Sequence, residues 1–154
     1  MNQLLFDKAK VAFVQGNFEE AIEAFGEMIA EEPDNAMAYH SRGTAHFNLK
    51  NYELAIEDYN KSIELNGGNE RVFCGRGAAY LALEKPDEAM DDFNKAIDIN
   101  EFYPNPYFGR AEIFKRAGET QQAQLDIDVG TRIQQSRGQS VLEGQGIMFQ
   151  NPNA

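Results

Sequence analysis

The chain has 154 residues, 42% of them hydrophobic and 25% charged, with a formal charge of −11. That length suits one domain and leaves no room for a second, catalytic one, and no run of about 18 apolar residues is present to insert in a membrane. The negative charge repels phosphate backbones and anionic lipid surfaces, and no Lys/Arg cluster offsets it, which argues against a nucleic-acid partner.

From the N-terminus, Met1-Asn2-Gln3-Leu4-Leu5-Phe6-Asp7-Lys8 lacks a basic stretch followed by an unbroken apolar run, so it reads as the start of a helix and not as a signal peptide. Cys74 is the single cysteine, which excludes an intrachain disulfide and a cysteine metal cluster and fits a reducing, cytoplasmic compartment. Four residue sets then recur every 34 positions: Ala9, Gly43, Gly77 and Ala111; Ala21, Ala55, Ala89 and Ala123; Phe25, Tyr59, Phe93 and Ile127; Leu5, Tyr39, Phe73 and Tyr107. A fixed period of this length marks a helix–turn–helix solenoid, whose units bury their apolar faces by stacking. The repeats fall at about 2–35, 36–69, 70–103 and 104–137.

Each repeat opens with a helix whose inward residues recur at three- and four-residue steps, as in Tyr39, Gly43, His46 and Phe47. Breaks follow at Gln15-Gly16-Asn17, Lys50-Asn51, Lys85-Pro86 and Ala117-Gly118. A second helix begins after each, with Asn17, Asn51 and Thr120 as expected caps and Pro86 in a first turn. Turns rich in helix breakers join the repeats: Glu32-Pro33-Asp34-Asn35, Asn66-Gly67-Gly68-Asn69 and Tyr103-Pro104-Asn105-Pro106. Small residues on one helix facing small residues on the next allow close approach, and the periodic aromatics fill the gap to the following repeat.

A charged ladder shares the period. Arg42, Arg76 and Arg110 are 34 apart, as are Asp58, Asp92 and Asp126, while the first repeat has Lys8 and Ala24 at these places. Pairing within each repeat satisfies every charge and pairing across repeats does not, so Arg42–Asp58, Arg76–Asp92 and Arg110–Asp126 are the expected pairs. Two readings stand: a brace between the helices of a repeat, which is preferred, or a row of charges offered to a ligand.

No catalytic set is readable. His40 and His46 lie six apart on different helix faces, no phosphate loop is present, and no metal-ligand spacing occurs, so neither cofactor nor metal is expected.

On these residues the chain resembles the tetratricopeptide repeat family, from about residue 2 to 137. Repeat three carries the family pattern through Phe73, Gly77, Tyr80, Ala89, Phe93 and Ala96. Repeat two departs at His46 and Gly67, and repeat four at Phe114 and Ile127. The resemblance implies an all-α, right-handed superhelical solenoid that binds proteins without catalysis, its concave groove lined by the first helix of each repeat. It places Phe6, Lys10, Phe13 and Val14 in the groove, then Met37, His40, Ser41, Thr44, Phe47 and Asn48. From the later repeats come Arg71, Cys74, Gly75, Ala78, Leu81 and Ala82, then Asn105, Phe108, Gly109, Glu112, Lys115 and Arg116. Phe13, Phe47 and Phe108 are expected to stand exposed there, with Phe25 and Phe93 buried, and Gly75 and Gly109 to leave room for a ligand backbone.

The expected ligand is an apolar or amphipathic peptide or helix, with Lys10, Arg71, Lys115 and Arg116 selecting acidic flanks. The alternative is self-assembly into a homo-oligomer. One subclass of the family clamps the acidic C-terminus of chaperones with Lys and Asn on the first helix, Asn on the third, and Lys and Arg on the fifth. The matching places here hold Phe6, Lys10, Ser41, Arg71 and Gly75, of which only Arg71 is compatible, so a chaperone clamp is not expected.

Beyond the repeats, residues 138–154 read as a tail broken by Gly138, Gly144, Gly146 and Pro152. Its cluster Ile147-Met148-Phe149 is expected to dock, first on the edge left by Ile127 and Ile133, second in a neighbour's groove, with its own groove the third site.

Overall fold

The computed structural model describes the backbone of residues 3–144 and the side chains of residues 3–138. Among these the chain forms eight helices and no strand. They are α1 (Gln3–Val14), α2 (Phe18–Glu31), α3 (Ala36–Asn48), α4 (Tyr52–Leu65), α5 (Glu70–Ala82), α6 (Pro86–Ile99), α7 (Asn105–Arg116) and α8 (Thr120–Gly144). Helices pack as consecutive pairs, α1 on α2 through α7 on α8, and each pair packs on the next through α2–α3, α4–α5 and α6–α7. This is an all-α helical repeat.

The core follows the 34-residue register. Ala9, Ala21, Ala55, Ala89, Ala111 and Ala123 are buried, so the two helices of a repeat meet backbone to backbone. Phe25, Tyr59 and Phe93 are buried beside them and reach the following repeat.

The turn inside each repeat has a feature of its own. Gly16, Lys50, Glu84 and Gly118, again 34 apart, all adopt positive φ, between 56° and 80°. The amide after each closes the preceding helix: Asn17 N–H donates to Ala12 O, Asn51 to His46 O, Lys85 to Tyr80 O and Glu119 to Phe114 O. This left-handed helix stop favours glycine, and only two of the four copies have one.

Three expectations need correction. Asn17 and Asn51 precede their helices but make no side-chain cap bond; their backbone amides close the stop just described. Thr120 is already helical, so it is not a cap. Side-chain caps occur instead between repeats, where Asn35 Oδ1 accepts from Ala38 N and Asn69 Oδ1 from Arg71 N, both at 3.0 Å.

Gly138 does not break the chain. α8 runs through the 137/138 boundary to Gly144, since a helical glycine costs about 1 kcal/mol but keeps its amide, and Gln, Arg, Leu and Glu surround it. The cluster Ile147-Met148-Phe149, and hence its docking, lies outside the described residues.

Candidate functional site

The groove face centres on a cleft of about 400 Å³ between α3 and α5, closed at one side by the start of α7. α3 supplies His40, Thr44, Phe47 and Asn48, α5 supplies Arg71, Cys74, Gly75 and Ala78, and Tyr59 of α4 forms the floor. Tyr103 and Asn105 complete the rim. The polar groups are tied together. Tyr59 OH donates to Thr44 Oγ1 at 3.3 Å, Thr44 Oγ1 donates to His40 O at 2.9 Å, and Asn48 Nδ2 donates to Thr44 O at 2.8 Å. Asn105 Nδ2 donates to the Tyr103 hydroxyl at 3.0 Å.

Burial sets the charge state. It pushes the Cys74 thiol and the Tyr59 hydroxyl each up to about 12, so both stay protonated at neutral pH. Burial, with Arg71 adding to it, also lowers His40 below the usual imidazole value, which keeps it neutral. Arg71 is therefore the one charged side chain in the cleft, it is exposed, and no carboxylate lines the wall with it. A buried, protonated thiol is a poor nucleophile, and no carboxylate lines the cleft to orient His40. Among the described residues no group of His, Cys, Asp or Glu can hold a metal ion.

Several expected groove residues are elsewhere or otherwise engaged. Phe13 and Phe47 are half-buried, because each packs edge-on against the first aromatic of the second helix in its own repeat. The ring centroids are 5.3 Å apart for Phe13–Phe18 and 5.4 Å for Phe47–Tyr52. Phe47 borders the cleft, but its work is at the turn. Phe108 is half-buried over Gly130, where an added Cβ would stand 2.8 Å from its ring. Phe6 packs on the first-repeat core, and Cys74 and Leu81 are buried in the third.

Gly75 and Gly109 make room for protein and not for ligand. A Cβ on Gly75 would meet Tyr59 at 2.9 Å, and one on Gly109 would overlap the Phe93 ring. Arg116 is exposed and already binds Glu112 at 2.9 Å and Glu84 at 3.3 Å. Met37, Lys10 and Lys115 are exposed.

The arginine ladder lies behind the groove. Nε and Nη2 of each guanidinium bind one carboxylate in a fork: Arg42–Asp58 at 2.9 and 2.7 Å, Arg76–Asp92 at 2.8 and 2.7 Å, Arg110–Asp126 at 2.8 and 2.6 Å. The three aspartates are buried and the arginines largely so. Two of the arginines do more. Nη1 of Arg76 donates to Asn60 Oδ1 at 2.7 Å and that of Arg110 to Asn94 Oδ1 at 2.9 Å, joining each repeat to the one before. Sequence reasoning looked only for carboxylates and missed these amides, although Asn60 and Asn94 keep the same 34-residue spacing.

Two family models, each described as tetratricopeptide repeat, match residues 6–70 and 70–103. The chain belongs to the tetratricopeptide repeat family. No curated protein matches it. Among solved structures it is similar to MamA, with a TM-score of 0.79 and 20% identity over 89% of this chain and 80% of that one. It is similar to the first tetratricopeptide domain of Spaghetti (RPAP3) bound to the HSP90 peptide SRMEEVD, with a TM-score of 0.72 and 27% identity over 75% and 92% of the two chains. The second such domain of human RPAP3, in complex with the HSP70 peptide SGPTIEEVD, gives a TM-score of 0.68 and 28% identity over 71% and 91%. Tetratricopeptide domains are protein-interaction modules, and among the described residues no helix of this one is long and apolar enough to cross a membrane.

Proposed function

We propose that this tetratricopeptide domain binds a short apolar or amphipathic peptide in the cleft between α3 and α5, without catalysis. A small apolar side chain would sit against Phe47, Tyr59 and Ala78, and a carboxylate beside it would pair with Arg71. The carrying observation is the solitary Arg71, unopposed in its cleft on a chain of charge −11. The RPAP3 domains, solved with the acidic peptides SRMEEVD and SGPTIEEVD, support the ligand class. The clamp positions support a different grip, because Phe6, Lys10, Ser41 and Gly75 stand where a two-carboxylate clamp needs its amides and cations.

A peptide array pairing one acidic with one apolar residue, followed by calorimetry on the hits, tests this. Arg71→Ala is expected to weaken binding about tenfold, the usual worth of a charge-assisted hydrogen bond. Ala78→Trp, which fills the cleft, should abolish it. Hits indifferent to both substitutions would show that the ligand sits elsewhere.

A further inference from the structure

The repeat register leaves a face without a further repeat at each end of the described stack, and the two faces match. Leu4 occupies the position of Ala38, Val72 and Pro106, and Val11 that of Ala45, Ala79 and Ile113. All six inner counterparts are buried, whereas Leu4 is 80% and Val11 55% exposed. Ala38 is packed with Phe25 and Met28 of α2, and Val72 with Tyr59 of α4. Leu4 and Val11 therefore lie on the face that receives the second helix of a preceding repeat, and no described helix precedes α1.

At the other end α8 presents the surface that α2, α4 and α6 offer to the next repeat. Ile127 stands in the register of Phe25, Tyr59 and Phe93, and Thr131 in that of Ile63 and Ile97. Charge completes the match. Lys8 holds the place of Arg76 and Arg110, which donate back to Asn60 and Asn94, and the last position in that acceptor series is Asp128. A cation at one end and a carboxylate at the other thus stand where inner junctions use an arginine and an amide. Size matches too. Asp7 takes the register of Gly75 and Gly109, and the smaller Ile127 takes that of Tyr59 and Phe93, which those glycines face.

We propose that copies of this chain associate head to tail, α1 of one docking on α8 of the next as though it were a following repeat, with Lys8 of the incoming copy paired to Asp128. Such an interface is heterologous and does not close on itself in a pair, so assembly continues into linear oligomers. It leaves the cleft at Arg71 untouched.

Sedimentation velocity of the full chain over a wide concentration range tests this. The wild type is expected to pass beyond a dimer as concentration rises. Leu4→Asp should stay monomeric with an unchanged melting temperature, because Leu4 is 80% exposed. Lys8→Glu and Asp128→Lys are each expected to weaken association about fivefold, and their combination to restore it. Leu4→Asp keeps a working α8 face, and Asp128→Lys with Thr131→Lys keeps a working α1 face. Each alone should be monomeric, and their mixture should form a dimer and stop there. A wild type that remains monomeric throughout overturns the proposal, as does assembly indifferent to Leu4→Asp. Assembly lost on removing residues 145–154 would belong to that segment and overturns it equally.

Discussion

The ring of Tyr59 fills the space beside Gly75, with its hydroxyl and ring carbon 2.9 Å from where a Cβ would stand. Phe93 and Gly109 repeat the relationship one unit on, more tightly. The junction between repeats is therefore an aromatic ring laid against helix backbone, and the glycines serve stability where sequence reasoning assigned them to ligand.

Gly109→Ala gains about 1 kcal/mol of helix propensity but forces the Phe93 ring out of a filled core, at a cost of about 1–3 kcal/mol. A net loss is expected in urea unfolding. Gly138→Ala is the control. Nothing lies within 4 Å of its Cβ position, so it should gain up to about 1 kcal/mol. Two changes of the same sign would show that the ring is not held against the backbone.

Lys50 takes φ 62° at a turn where Gly16 and Gly118 take 80° and 78°. A side chain there costs about 1 kcal/mol or more, part of which glycine returns through a freer unfolded chain. Lys50→Gly is expected to raise stability by about 0.5 kcal/mol, and Gly16→Ala to lower it by about 1 kcal/mol. Denaturant midpoints of the two variants check the opposed signs.

Burial lowers both histidines below the ordinary imidazole value, and Nδ1 of His46 is buried without a hydrogen-bond partner. As pH falls, the unfolded chain therefore takes up these protons before the folded one. The stability they confer is complete above the unfolded value of about pH 6.5 and is lost as pH falls below it, through the lower folded-state values. The urea midpoint should drop between about pH 7.5 and 5.5, and drop less in His46→Gln. An equal drop in both proteins would remove His46 from the account.

The fold was legible because one period carries both halves of each contact: Ala9 meets Ala21 and Gly43 meets Ala55, small against small, while Phe25, Tyr59 and Phe93 mark where the repeats join. The forked pairs were legible for the same reason, since a charge with its partner at constant separation leaves one consistent matching. The groove was less so. Phe13 and Phe47 sit on the expected helix face, but the tight turn returns the residue five positions later to the same ring, and helical periodicity does not see across a turn. A glycine likewise reports that space is needed, not what fills it. α8 outran its expected end because Gly138 weakens a helix without removing a hydrogen bond, as a proline would have done.

The inter-repeat bond from arginine to asparagine is missing at one junction, and the structure shows how to supply it. Asn60 and Asn94 receive Arg76 and Arg110, but the equivalent residue before Arg42 is Gly26. A Cβ on Gly26 would have Arg42 Nη1 as its only neighbour, at 3.8 Å, so nothing blocks a side chain there. Gly26 lies within α2, where asparagine is the better helix residue by a few tenths of a kcal/mol. A charge-assisted hydrogen bond to a largely buried guanidinium adds about 1 kcal/mol. Gly26→Asn is therefore expected to stabilise the domain by about 1 kcal/mol. Gly26→Ala gains the helix propensity alone and separates the two contributions. Hydrogen exchange should slow at the α2–α3 junction in the asparagine variant only. Equal protection and equal stability in the two variants would mean that Arg42, already held by Asp58, does not turn its third nitrogen to the new amide.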